Sequence, residues 1–376
     1  FQAEDGIRDL VRSRGLGDVY KRQLLFLFSS AFLSAFLDAL TVTAVLISVS
    51  IGFYNIFADN LKNKTITQKE FDQGKPILRD IVMHGAVGTA LGGVCTIVGE
   101  PQNLLIATKA DWSFIEFFLR MAPVTIPVLF FGILTCIIIE KLKLSEYGAQ
   151  LPSTLRDKLI DAALEKEKNR TNIENTHLVI EALLGILLIF ALAFHLAQVG
   201  VIGLFLLVFL TALKGITSEH DLGEAFKEPL PFTALLVIFF VIVAVIHDQN
   251  LFSPVTSYVL STSPDIQTPL FFIANGVLSA ISDNVFVATV YMNEIMAALN
   301  DGLINREQFD NLAVAINTGT NLPSVATPNG QAAFLFLLTS SLAPLIGLSY
   351  IKMVYKALPY TIVLTIVGLI CVILFI

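Results

Sequence analysis

Two stretches decide the reading of this chain: SAFLDALTVTAV at residues 34–45 and SAISDNVFVATV at residues 279–290. Both run Ser-Ala-x-x-Asp into a β-branched, apolar segment, and both lie in apolar surroundings. A charged side chain at mid-bilayer costs about 2.5–3.5 kcal/mol on insertion scales, so an intramembrane acid is a functional candidate by default. The competing reading is structural, because aspartate is a favoured N-cap for the helix that follows. A chain that places the same costly residue twice calls for a search for an internal repeat.

Composition sets the frame. The 376 residues are 55% hydrophobic and 15% charged, against about 25% charged in soluble domains. Repeated apolar runs near the length of a bilayer span point to an all-α integral membrane protein with many crossings. The basic footprint of a nucleic-acid binder is absent, and the net charge of −7 sits mostly in loops. Cys95, Cys136 and Cys371 lie in apolar segments and read as small buried hydrophobes rather than a disulfide framework. No Walker motif, nucleophile constellation or transition-metal cluster is present in the pattern, so an enzyme is not expected and no cofactor is implied.

Residues 1–23, with five basic and four acidic residues, share none of the apolar patterning that follows. They read as a non-native stretch resembling translated adapter sequence. Residues 24–140 then read as a first, incomplete repeat, 141–177 as a connecting segment and 178–376 as a second repeat. Within the connecting segment, LPSTLRDKLIDAALEKEKNR has the charge pattern of a surface helix. Spans are expected at 114–139, 178–197, 199–213, 231–247 and from about 357 to the end.

Basic residues give the orientation. Lys62, Lys64, Lys69, Lys75 and Arg79 crowd the loop at 59–80, and seven basic residues lie in 140–177. Both loops are therefore expected in the cytoplasm. The loop at 299–310, with Asp301, Glu307, Asp310 and Arg306, suits the opposite side. The basic loop after Asp38 and the acidic loop after Asp283 give the two halves opposite orientations, which is the signature of inverted-topology repeats.

A second pair of segments supports the repeat. GGVCTIVGEPQN at 92–103 aligns without a gap on GTNLPSVATPNG at 319–330, placing Pro101 on Pro328. Proline and glycine at membrane depth free backbone groups that must be buried in protein or line a watery cavity. The expectation is two broken transmembrane helices, each beside a re-entrant hairpin with its aspartate at the tip. Asn103 and Asn329 are expected to face one shared cavity. A packing kink is the alternative at either proline taken alone.

The residues expected to couple ions are Asp38, Asp283 and Glu100. The expected oxygen ligands for Na+ are Ser34, Thr41, Ser282, Asn284, Gln102, Asn103, Thr320, Asn321, Thr327 and Asn329. His84 and His195 read as hydrogen-bonded packing residues, and Glu181 and Glu294 as span-end acids facing water.

From about residue 24 onwards the chain resembles the NhaB-type sodium/proton antiporters. AFLSAFLDALTV, GTALGGVCTIVGEPQNLLIA, SAISDNVFV and LAVAINTGTNLPSVATPNGQAAFLFLLTSSLAPLI carry the resemblance. It implies Na+ sites between each hairpin tip and its broken helix. It also implies secondary exchange of Na+, leaving the cytoplasm, for H+ across the bacterial inner membrane, with the lipid bilayer, Na+ and H+ as partners. A homodimer is compatible with the sequence. Family members carry further helices before the first SA-x-x-D segment, so the chain is expected to be a fragment. The alternatives are a Na+-coupled carboxylate carrier, an arsenite permease or an inactive membrane fragment. Dicarboxylate carriers of the wider superfamily resemble Ser-Asn-Thr at the tips, where this chain has aspartate.

Overall fold

Helices account for every regular element among the described residues of this computed structural model, which covers 19–376 except His195 and much of 221–252. The expected non-native stretch therefore lies mostly outside the described residues, as do the expected span at 231–247 and His195. The first helix, α1 (Val19–Ser34), begins inside that stretch, and Gln23 is buried.

α1 is followed by α2 (Ala39–Lys62), α3 (Gln68–Gly93), α4 (Pro101–Ala110) and α5 (Phe114–Leu142). The connecting segment forms α6 (Ser153–Asn169), the expected surface helix. Next come α7 (Asn172–Ala193), α8 (Val199–Lys214) and α9 (Ser253–Leu260). The last part holds α10 (Pro264–Ile281), α11 (Asn284–Asn300), α12 (Arg306–Asn321), α13 (Ala332–Thr339), α14 (Leu342–Ile346) and α15 (Tyr350–Phe375). Four of these, α2, α5, α7 and α15, are long and apolar enough to cross a membrane. α2 thus has the length of a full span, more than the expected hairpin arm needs.

Local chemistry explains the boundaries. Thr67 opens α3 with a capping box: Glu70 N–H donates to the Thr67 hydroxyl, and the Glu70 carboxylate accepts from Thr67 N–H at 2.7 Å. That amide, then the Thr154 and Thr67 hydroxyls, hold the Glu70 carboxyl below the ordinary carboxylate range. The Thr154 contact, at 2.7 Å, ties α6 to the start of α3. Pro101 opens α4, where its missing N–H is no loss.

The succession helix, aspartate cap, helix, loop, helix, break, short helix, long helix occurs twice, as α1–α5 and as α10–α15, with one extra short helix, α14, before the long helix of the second. α1 packs along α3 and α10 along α12. Between the halves the packing is reciprocal: α4 rests on α11, α13 rests on α2, and the long helices α5 and α15 rest on each other. Small residues allow the close approach within each half. A Cβ on Gly92 would lie 1.8 Å from the Ala31 carbonyl oxygen, and one on Gly319 2.6 Å from that of Phe272.

Candidate functional site

Both aspartates cap helices. Asp38 Oδ2 accepts from Leu40 N–H at 3.0 Å at the start of α2. Asp283 Oδ1 accepts from Val285 N–H at 2.9 Å and Phe286 N–H at 3.2 Å at the start of α11. The structural role considered for them is therefore present. It leaves the carboxyl group in place, half-buried, at the mouth of each helix.

Both helix breaks also form. α3 stops at Gly93 and the chain resumes helix at Pro101. α12 stops at Asn321, passes through 3-10 turns at Pro323–Ala326 and Pro328–Gly330, and resumes at Ala332. A buried amide side chain closes each break. Asn103 Nδ2 donates to Gly93 O at 2.7 Å and Thr96 O at 2.6 Å. Gln331 Nε2 donates to Asn321 O and to Ser324 Oγ, both at 2.9 Å. In each case the amide satisfies the last carbonyl of the first half-helix, which has no helical partner.

The structural correspondence between the breaks differs from the gapless sequence alignment. Thr96 Oγ1 donates to Ala35 O at 2.5 Å, and Thr327 Oγ1 donates to Ala280 O at 2.6 Å. Cβ atoms built on Gly99 and Gly330 would each lie 2.6 Å from the carbonyl oxygens of Ser34 and Ser279. The matching strings are thus TIVGE at 96–100 and TPNGQ at 327–331. Pro101 and Pro328 are not equivalent, whereas Glu100 and Gln331 are. Counting residues outward from the two prolines misses this, because the 3-10 turns take up chain that the first break does not have.

The two breaks meet. Gln102 Nε2 donates to Asn321 Oδ1 at 2.8 Å, and Asn284 Nδ2 lies 3.5 Å from the same oxygen. Asn317 Nδ2 donates to Val94 O at 3.1 Å. Glu100, 2% exposed, lies between the halves: Asp38 and Asp283 both act on it electrostatically, and the Asn284 and Gln102 side chains face it. Among the described residues no three His, Cys, Asp or Glu side chains converge as one metal cluster.

Of the expected ligands, Ser34, Gln102, Asn103, Asn284, Thr320 and Asn321 are buried around the breaks. Ser282 and Thr327 are half-buried beside the caps, and the Thr327 hydroxyl is spent on Ala280 O. The Thr320 hydroxyl is likewise spent, on Ile316 O at 2.8 Å. Thr41 and Asn329 are exposed. Asn329 therefore does not share a cavity with the buried Asn103; it sits on the outer side of a 3-10 turn, and Gln331 takes the inward place. Asn317 was missed as a candidate, although its spacing one helical turn before Asn321 was readable in the sequence. Glu181, expected to face water, is buried and pairs with Lys214 at 2.6 Å.

α4 has 10 residues from the break to its far end, about 15 Å at ~1.5 Å per residue.

The chain matches the family described as bacterial Na+/H+ antiporter B (NhaB) over residues 16–376. It is 59% identical over 364 residues to the Na+/H+ antiporter NhaB of Marinomonas sp. (strain MWYL1), a match covering 93% of this chain and 73% of that protein. The proteins of the same name from Teredinibacter turnerae and Klebsiella pneumoniae are each 58% identical, over 365 and 362 residues. Those matches cover 93% of this chain in both cases, and 73% and 70% of the relatives.

Proposed function

We propose, for a chain that belongs to the family of bacterial Na+/H+ antiporter B, that Na+ and H+ compete for the carboxylates gathered where the two broken helices meet. One observation carries this reading. Beside the Gln102–Asn321 bond, Ser34 Oγ, Glu100 Oε1, Gln102 Oε1, Asn103 Oδ1 and Asn284 Oδ1 are buried without a hydrogen-bond partner among the described residues. A buried polar atom left unsatisfied costs about 1–3 kcal/mol. Clustered oxygens without donors are what a hard cation such as Na+ requires.

The carboxylates supply the exclusion. A buried carboxylate is tolerable when protonated or when a cation sits beside it. Asp38 and Asp283, each at a helix mouth, alternate between those two states in this reading. A proton arriving from outside displaces Na+, and loss of that proton to the cytoplasm recreates the cation site. The chain thereby moves Na+ out and H+ in across the bacterial inner membrane. Glu100 has Gln331 as its counterpart, so one half of the site has an acid where the other has an amide. Glu100→Gln makes the halves alike. It is expected to lower Na+-driven proton movement in everted vesicles at least about tenfold, the equivalent of ~1.4 kcal/mol. Unchanged exchange would remove Glu100 from the site.

The reciprocal packing of α4 on α11 and of α13 on α2 supports reading the halves as an inverted repeat. In that reading α1–α2 and α10–α11 are hairpins that enter from opposite faces. Cysteines placed in 59–80 and 140–177 are expected to react with an impermeant thiol reagent from the cytoplasmic side, and those in 299–310 from the periplasmic side. Labelling of 59–80 and 299–310 from one side would sink the inverted repeat and leave the fold intact.

The test of the exchange itself is the Na+-induced pH change in everted vesicles carrying this chain, with vesicles lacking it as background. A response no larger than background would contradict exchange by this chain.

A further inference from the structure

In the middle of α3, about two to four turns before the break at ~3.6 residues per turn, lies a second polar cluster that the exchange site does not use. Asp80 and His84 of α3, Glu140 of α5 and Lys356 of α15 are all buried, three of them at 0% exposure. Lys356 Nζ donates to Asp80 Oδ1 at 2.7 Å. His84 Nε2 lies 2.8 Å from Glu140 Oε1, and His84 Nδ1 lies 2.7 Å from the Tyr360 hydroxyl. Charge counting is simple among groups so deeply buried. Asp80 and Lys356 cancel as an ion pair. Glu140 and His84 together are neutral only when they hold one proton between them, on either partner. Glu140 Oε2 has no hydrogen-bond partner among the described residues, so the carboxyl is not fully satisfied as a carboxylate.

The same four side chains hold the loop that follows α5. Lys356 Nζ also donates to Glu146 O at 3.0 Å, and Ala149 N–H donates to Asp80 Oδ2 at 3.3 Å. The Gly148 amide faces Glu140. The Tyr147 ring stacks on His84 at 4.5 Å, with the Lys356 ammonium 3.6 Å from its centre. This loop is in an unusual conformation: Lys143, Ser145 and Glu146 have φ of 54°, 50° and 63°. Left-handed residues other than glycine are uncommon. They are costly for residues with a side chain and persist only where the surroundings over-determine them. Here the surroundings are the buried cluster.

The geometry points to a proton-binding site at His84–Glu140, separate from the exchange site, whose single proton holds the 143–149 loop shut against α3 and α15. Loss of the proton leaves one uncompensated negative charge in a fully buried site. A buried unpaired ion is penalised by several kcal/mol, against a loop already in a costly conformation. The loop then lifts and water reaches the charge. The groups facing the pair are Asp80 from α3, Cys136 from α5, Lys356 and Tyr360 from α15, and Tyr147 from the loop, while Arg79 of α3 acts on Lys356. Lys352 and Glu146 form a rim pair at 3.8 Å. This inference rests on the buried cluster alone, and does not depend on which ions the chain exchanges.

Amide hydrogen exchange of the whole chain in detergent tests it, read on peptides covering 143–149 over about pH 6–9, the range around histidine titration. After correction for the intrinsic rate, protection is expected to hold level at low pH. Above the pair's titration it should fall about tenfold per pH unit, the slope of opening linked to one proton. Glu140→Gln keeps an acceptor for His84 and has no proton to lose, so its profile should be protected and flat. If that variant does not fold, His84→Gln serves, and its transition should move by about a pH unit or more. A flat profile in the unmodified chain would overturn the proposal. So would an unchanged slope in Glu140→Gln, or an unchanged midpoint in His84→Gln.

Discussion

Asp38→Asn and Asp283→Asn are each expected to abolish Na+-driven proton movement in everted vesicles, with the protein still folded and present in the membrane at normal amount. The structure is what makes this substitution decisive. Each aspartate accepts from the N–H groups that open a helix, at 3.0 Å from Leu40 and 2.9 Å from Val285. Asparagine caps helices about as well as aspartate, and its side-chain oxygen accepts the same bonds. The substitution therefore preserves the cap and removes only the charge and the titrating proton. Asp38→Ala would confuse the two roles, since loss of a cap alone costs about 1 kcal/mol of stability. The reading fails if both asparagine variants, and the double variant, exchange normally. The aspartates would then be caps and nothing more, with Glu100 left as the acid at the meeting point of the breaks.

Gly92→Ala is expected to lower stability strongly, because its added Cβ makes the shortest backbone clash among the described glycines. The new Cβ would lie 1.8 Å from the Ala31 carbonyl oxygen and 2.7 Å from Ala31 Cα. Backbone cannot swing aside as a long side chain can, so α1 and α3 must separate. Overpacking typically costs 1–3 kcal/mol and occasionally more, and about 3 kcal/mol or more is expected here. The separation would also pull Thr96 from Ala35 O, the bond that holds the first break against the turn between α1 and α2. Exchange should be lost along with the melting temperature in detergent. Gly200→Ala and Gly203→Ala are the controls, because nothing lies within 4 Å of either built Cβ. Both should leave the melting temperature unchanged or slightly higher, since alanine favours helix by up to ~1 kcal/mol over glycine. A Gly92→Ala melting temperature equal to that of the controls would mean that α1 and α3 are not packed this closely.

Much of the candidate site was legible because its parts are expensive to place in a membrane. An aspartate in an apolar run, and a proline or glycine cluster in a span, stand out against a background that excludes them. The order of those parts was legible too, since Asp38 and the break at Gly93–Pro101 are followed by Asp283 and the break at Asn321–Ala332 in the same succession. The pairing between the breaks was not, because a run of 3-10 turns in one half and its absence in the other shift the register without changing the local pattern. Asn329 and Gln331 illustrate this. They are two polar residues two positions apart, and only the turn geometry decides that the first is exposed and the second holds Asn321 O.

By itself, then, the sequence determined that this is a helical membrane protein with two related halves, the places where its helices break, and the acids that lie in apolar surroundings. Those are properties of single positions and their immediate neighbours, set by the transfer cost of charge and of free backbone groups. Tertiary structure alone decided which polar groups meet. Gln102 reaches Asn321, and Asn317 reaches Val94 O, across more than two hundred residues of chain. His84, taken alone, reads as a packing residue, and Lys356 as one more basic residue near a span. Burial against Asp80, Glu140 and Tyr147 turns them into a closed electrostatic unit. The energy of such a unit depends on distance and dielectric between groups remote in sequence, and no local pattern carries that information.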